Sequence, residues 1–164
     1  MIKRIILGLC FLACTMTYTL ADSAPITEKE AAEVENFFNS YVESANNYKD
    51  DLINHYTNDA KIERIVIKPN GEKETVEIPL ERYKKELKLG KITAKLVNYK
   101  NKYSNNKYEK IEDNKFKIKT KRTPMNDKNS LNAEFIVTKT QDGLKISSES
   151  METTVQKFLE NKAP

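Results

Sequence analysis

The chain has 164 residues, with 28 Lys+Arg against 24 Asp+Glu, one histidine, two cysteines and no tryptophan. That length fits one domain with a sizeable core, and the near balance of charge gives no argument for a nucleic-acid partner. Both cysteines, Cys10 and Cys14, lie close to the N-terminus, so thiol catalysis and thiolate metal sites are excluded wherever that segment is removed.

The N-terminus reads as a leader. Lys3 and Arg4 precede an apolar run from Ile5 to Met16, and Thr19-Leu20-Ala21 supplies small residues for cleavage. This pattern predicts a secretory signal peptide over residues 1–21, because a membrane-spanning helix needs about 20 apolar residues. Residues 22–164 then form a single exported domain with no transmembrane segment. A competing reading takes Phe11-Leu12-Ala13-Cys14 as a lipoprotein signal acylated at Cys14, but Phe11 is a poor residue three places before such a cysteine. Loss of Lys3 and Arg4 lowers the formal net charge from +4 to +2. An exported chain without cysteines is held by packing rather than by disulfides. Lysine far outnumbers arginine and no Asn-x-Ser/Thr site occurs, which points to an AT-rich bacterial genome and to the periplasm or the exterior.

Thr27 with Glu30 three places on is a capping box, and Ile26 ahead of it can act as a hydrophobic staple. Val34, Phe37, Phe38, Tyr41, Val42 and Ala45 follow at the spacing of one buried helical stripe, which Asn46-Asn47 ends. Asp50-Asp51 caps a short second helix with Leu52, Ile53 and Tyr56 inward, closing at Asn58-Asp59. From Lys61 the pattern is strand, through Ile62, Ile65, Val66 and Ile67 to the turn Pro69-Asn70-Gly71, with a return through Val76 and Ile78. Pro79 opens a third helix carrying Leu80, Tyr83 and Leu87, and Gly90 stops it. The remainder is sheet: Lys115 to Lys119 and Leu131 to Phe135 alternate, as does the segment around Leu144 and Ile146 after Asp142-Gly143, and such alternation implies an antiparallel sheet with one wet face. Val155, Phe158 and Leu159 suggest a short closing helix. The fold class is therefore α+β, three helices in the N-terminal half packed on a curved, mostly antiparallel sheet.

The run Tyr41-Val42-Glu43, a polar break, Leu52-Ile53 and then His55-Tyr56-Thr57-Asn58-Asp59-Ala60-Lys61-Ile62-Glu63 resembles the nuclear transport factor 2-like superfamily, which includes ketosteroid isomerases and polyketide-cyclase-like proteins. The resemblance implies a cone-shaped, cystatin-like fold with an apolar pocket between sheet and helices. In the isomerase branch it implies a tyrosine at the position of Tyr41 that donates to an oxyanion. It also implies a proton-moving aspartate where this chain has Arg64, which cannot serve as a base.

Candidate residues follow. His55 is the only side chain with an ordinary titration near neutrality, and Asp51 and Asp59, one helical turn to either side, could orient it for acid/base work; the competing reading makes all three surface and capping residues. Tyr41 and Phe38 are candidates to line the pocket, against a plain core role. Arg64, on a strand facing the cone, could hold an anionic ligand bidentately. No cofactor is expected, and one histidine with scattered carboxylates predicts no metal. Tyr99, Tyr103 and Tyr108 interleave with lysines, but Glu109, Glu112 and Asp113 are mixed in, so the segment reads as a solvated hairpin rather than a single-strand binder. The chain is expected to be a non-catalytic binding or interaction module of the bacterial envelope, taking a small apolar or amphipathic ligand or an envelope protein, with a homodimer through the sheet as a further possibility. The alternatives are an isomerase, lyase or hydrolase using His55 and Tyr41, and a subunit of a secretion or surface assembly.

Overall fold

The computed structural model describes residues 25–125 and 127–160. The expected signal peptide and Cys14 lie outside them. Helix α1 spans Glu28–Asn46 and starts where the capping box predicts: the Thr27 hydroxyl accepts from the Glu30 amide while the Glu30 carboxylate accepts from the Thr27 amide. These reciprocal bonds satisfy two otherwise orphaned donors of the first turn. Its buried stripe is Val34, Phe38, Tyr41 and Ser44, and Ile26 packs against the core ahead of the cap.

The second helix is a 3₁₀ segment, Asp50–His55, and it ends sooner than the sequence suggests. Tyr56 already opens strand β1, Tyr56–Ile67, so Asp59 is an exposed strand residue rather than a helix terminus. Strand β2, Lys73–Ile78, pairs antiparallel with β1. Their turn falls at the expected Asn-Gly: Gly71 has φ +86°, and the Asn70 side chain accepts from the Glu72 amide at 3.0 Å. Helix α2, Leu80–Leu96, follows Pro79 but runs straight through Gly90. Gly90 has helical φ here, and a glycine inside a helix weakens it without ending it. Leu89, Ile92 and Leu96 on the far side of α2 are exposed.

Strands β3 (Asn101–Glu112), β4 (Lys115–Pro124), β5 (Leu131–Thr140) and β6 (Gly143–Thr153) complete one open six-stranded sheet in the order β2-β1-β6-β5-β4-β3. All neighbours are antiparallel except β1 and β6, which run parallel and bring the first and last strands together at the centre. A short helix α3, Lys157–Glu160, closes the described chain with Phe158 against the core. The α+β expectation holds, with this parallel pair the one departure from an antiparallel sheet.

The core lies between α1 and the concave face. Phe38, 1 % exposed, meets Phe135 at 5.2 Å and Tyr103 edge-on at 5.3 Å between ring centroids. Ile62, Ile118, Val137 and Ile146 are fully buried around them. Emptying the Phe38 position would cost about 3–5 kcal/mol.

Strand β6 carries the irregularity that matters most for the interior. The pairing with β5 shifts between Ile136↔Ser148 and Val137↔Ile146, a bulge that places an extra residue in β6. A bulge reverses the in-out phase of everything beyond it. Leu144 and Ile146 face inward before the shift and Glu149, Met151 and Thr153 after it, while Glu152, also buried, turns its carboxylate the other way.

Candidate functional site

Where α2 crosses the sheet, the two do not close. A cavity of about 720 Å³ lies between them, bounded by Tyr41 of α1, Leu52 and Ile53 of the 3₁₀ segment, Tyr83, Leu87 and Ala94 of α2, the concave face of the sheet, and Phe158 at the far end. This is the size range of pockets that hold small organic ligands.

Its polar wall is built around Glu149, which the bulge turns inward and which is completely buried. The Glu149 Oε1 atom stands 2.8 Å from Nη1 of Arg64, and Oε2 accepts hydrogen bonds from the Tyr56 hydroxyl and, at 3.2 Å, from the Tyr41 hydroxyl. The Tyr56 hydroxyl also lies 3.3 Å from that of Tyr41 and 3.2 Å from that of Tyr83. The guanidinium of Arg64 sits 5.5 Å over the Tyr83 ring centroid, a cation–π placement. Three phenols, one carboxylate and one guanidinium thus form a single buried network.

Its electrostatics are those of a satisfied ion pair. Burial opposes the Arg64 charge, but the Glu149 carboxylate more than offsets this and holds the guanidinium protonated beyond its ordinary range. Burial, and then the charge of Glu149, push the Tyr41 and Tyr56 phenols well above their usual value. Tyr83 is pushed up to about 12 by the same two causes, with Arg64 pulling the other way. These phenols are neutral donors at any physiological pH. Glu149 thus has the charge of Arg64 against Oε1, which accepts no hydrogen bond, and two phenols on Oε2.

The candidates named from the sequence separate in space. Tyr41 and Arg64 line the cavity. Phe38 does not; it lies in the core beneath. His55 is half-buried outside the cavity, its Nε2 3.3 Å from Ser40 Oγ and its Nδ1 3.2 Å from the Leu52 carbonyl. Asp51 and Asp59 are exposed and, among the described residues, neither bonds to His55. The turn-by-turn spacing that linked Asp59 to His55 fails because an extended strand carries a residue about 13 Å in four steps, where a helix would bring it back alongside.

Sequence reasoning missed Glu149 and Arg122. Strict alternation from Leu144 and Ile146 would put Glu149 outside, and only the bulge places it within. Arg122, by contrast, was legible: Phe116, Ile118, Thr120 and Arg122 share one phase of β4, and all four are buried. Arg122 lines the cavity at 8 % exposure. Its Nη1 donates to Asn101 Oδ1 at 3.0 Å and its Nη2 to the Glu152 carbonyl at 2.8 Å. The Glu152 carboxylate points to the opposite face, where it meets Lys73 at 2.7 Å and Asn132 at 2.8 Å.

No protein-family profile matches the chain, and no curated protein matches it. Solved structures do. An NTF2-like protein with a cystatin-like fold from Novosphingobium aromaticivorans superposes with a TM-score of 0.60 at 7% identity, over 77% of this chain and 83% of that one. A candidate scytalone dehydratase from the same organism gives 0.55 at 16% identity over 77% and 85%. A protein from Catenulispora acidiphila in complex with S-DNPA gives 0.55 at 13% identity over 77% and 94%. At such identities the likeness is one of fold. Helices on one face of an open, curved sheet, with these neighbours, give the chain the cystatin-like fold of nuclear transport factor 2-like proteins.

Proposed function

We propose that this chain is an exported bacterial protein whose domain is a non-catalytic binding module for a small amphipathic ligand held between α2 and the sheet. The carrying observation is the cavity of about 720 Å³ in the place of a closed core, with an apolar surface from Leu52, Ile53, Leu87 and Phe158 and a deep carboxylate, Glu149, paired with Arg64. Apolar pockets with a few convergent polar groups are the usual form of small-molecule sites. A neighbour of the same fold that holds a small ligand supports the reading. The leader-like N-terminus, residues 1–21, supports export.

An enzymatic reading draws support from one specific feature, the linked hydroxyls of Tyr41, Tyr56 and Tyr83, of which Tyr41 and Tyr83 border the cavity, and from a neighbour described as a candidate dehydratase. Native mass spectrometry of the purified protein, before and after denaturation, separates the two. A co-purified small molecule of fixed mass supports binding, and its chemistry names the class. Conversion of that molecule to a product by the purified protein, abolished by Tyr41→Phe or His55→Ala, overturns the non-catalytic reading.

A further inference from the structure

We propose that the cavity takes an amphipathic carboxylate and that Arg122 holds its head group, an inference that rests on the ligand-binding reading and names the ligand class. Two arginines face the cavity, Arg64 from β1 and Arg122 from β4 with two strands between them, and they differ in what neutralises them. Arg64 lies 2.8 Å from the carboxylate of Glu149. Arg122 is 8 % exposed and has no carboxylate within 4.0 Å among the described residues. Its two bonds, to the Asn101 side-chain amide and the Glu152 backbone carbonyl, go to neutral acceptors, and its buried Nε has no acceptor at all.

A guanidinium offers five donors in a planar fork and keeps its charge at any accessible pH. Burying one without a counter-charge is costly, and buried charges in folded proteins are ordinarily paired. Arg122 borders the cavity, so an anion bound there supplies the missing counter-charge. The rest of the lining agrees: six cationic side chains border the cavity against three carboxylates. Of those three, Glu149 is the one set deep in the wall, and Arg64 masks it. An apolar body has its own surface in Leu52, Ile53, Leu87, Met151 and Phe158. A planar carboxylate matches a side-on guanidinium edge, and the apolar wall calls for a chain or ring behind it.

The test compares decanoate with 1-decanol, two probes of one length that differ in the head group, by isothermal titration calorimetry at pH 8. The purified protein is expected to bind decanoate at least about tenfold more tightly than decanol, a difference of about 1.4 kcal/mol. Arg122→Gln is expected to erase that preference and leave decanol binding where it was. Equal binding of both probes to the unaltered protein, or an undiminished preference in R122Q, overturns the role of Arg122 while leaving the cavity reading standing. Binding of neither probe to the unaltered protein overturns the cavity reading and this inference with it. Should R122Q lose its near-ultraviolet circular dichroism, the Arg122 Nε–H resonance of the unaltered ¹⁵N-labelled protein decides. It is expected to shift with decanoate and not with decanol, and silence with decanoate overturns the proposal.

Discussion

Tyr56 and Glu149, ninety-three residues apart, meet at one carboxylate oxygen deep in the domain, the first residue of β1 donating to the middle of β6. Because β1 and β6 run parallel, this bond ties together the two strands that close the centre of the sheet. Tyr56→Phe removes the donor and leaves a buried carboxylate short of a partner, so it should destabilise the protein by about 1–3 kcal/mol. Tyr41→Phe should cost less, since its bond to the same oxygen is longer at 3.2 Å. Urea unfolding of both single variants and the double variant should show coupling, because the two phenols share one acceptor.

Arg64→Met should be more damaging than either tyrosine change. It strips from Glu149, which is 0 % exposed, the only cation within ion-pair distance among the described residues, and breaking a buried pair from one side costs about 3–5 kcal/mol. The double variant Arg64→Met, Glu149→Met should recover much of that loss, since it removes both charges from the interior. Denaturant midpoints compared at constant slope give the answer; a double variant no more stable than R64M would mean that the phenols depend on Glu149 for their own placement.

The network also fixes how stability responds to alkali. Tyr41, Tyr56, Tyr83 and Tyr103, four of the eight tyrosines in the chain, have phenols raised above their ordinary value chiefly by burial. A raised value means that the folded state holds its protons where the unfolded state has lost them. Their contribution is therefore fully present below about pH 10, the ordinary phenol value, and is lost as pH rises from there through about 12, the value of Tyr83. In an alkaline titration followed at 295 nm, the absorbance of these four rings should rise late and together with the loss of far-ultraviolet dichroism.

Gly90 sits inside α2 with helical φ, and a methyl group there would meet nothing within 4 Å. Gly90→Ala should stabilise the domain by about 0.5–1 kcal/mol, because alanine loses less backbone entropy on entering a helix. Thermal unfolding should register the change as a rise in midpoint. A fall would overturn the entropic account of this position.

Local signals were the legible ones. Thr27 with Glu30, Ile26 ahead of them and the Asn70-Gly71 turn each determine their own few residues, and each stands in the structure where the sequence places it. The errors came where a tertiary contact outbid a local preference. Tyr56 has the spacing of a helical core residue, but pairing beside Ile146 draws it into β1. Gly90 is a plausible helix end, yet Ala94 still faces the sheet and the helix continues to reach it. The site was half legible. Tyr41 and Arg64 were found at the cavity, whereas His55 attracted notice for being the only histidine and proved to lie beside it. Arg122 is in plain phase with Phe116 and Ile118, but the lysines beside it give its strand the composition of a solvated face.

The extra residue near Ser147 and Ser148 gives β6 an unusual kind of information content. Before it, even-numbered residues look inward; after it, odd-numbered ones do. Deleting a single residue there would, in one genetic event, turn Glu149 to the opposite face and swing the Glu152 carboxylate from its place beside Lys73 and Asn132 toward the cavity, with no amino acid exchanged. What the interior of this domain can recognise is thus written partly in the count of residues rather than in their identity. A lineage with this fold can acquire or discard a buried acid by a three-base insertion or loss, a change that comparison position by position would record as a gap.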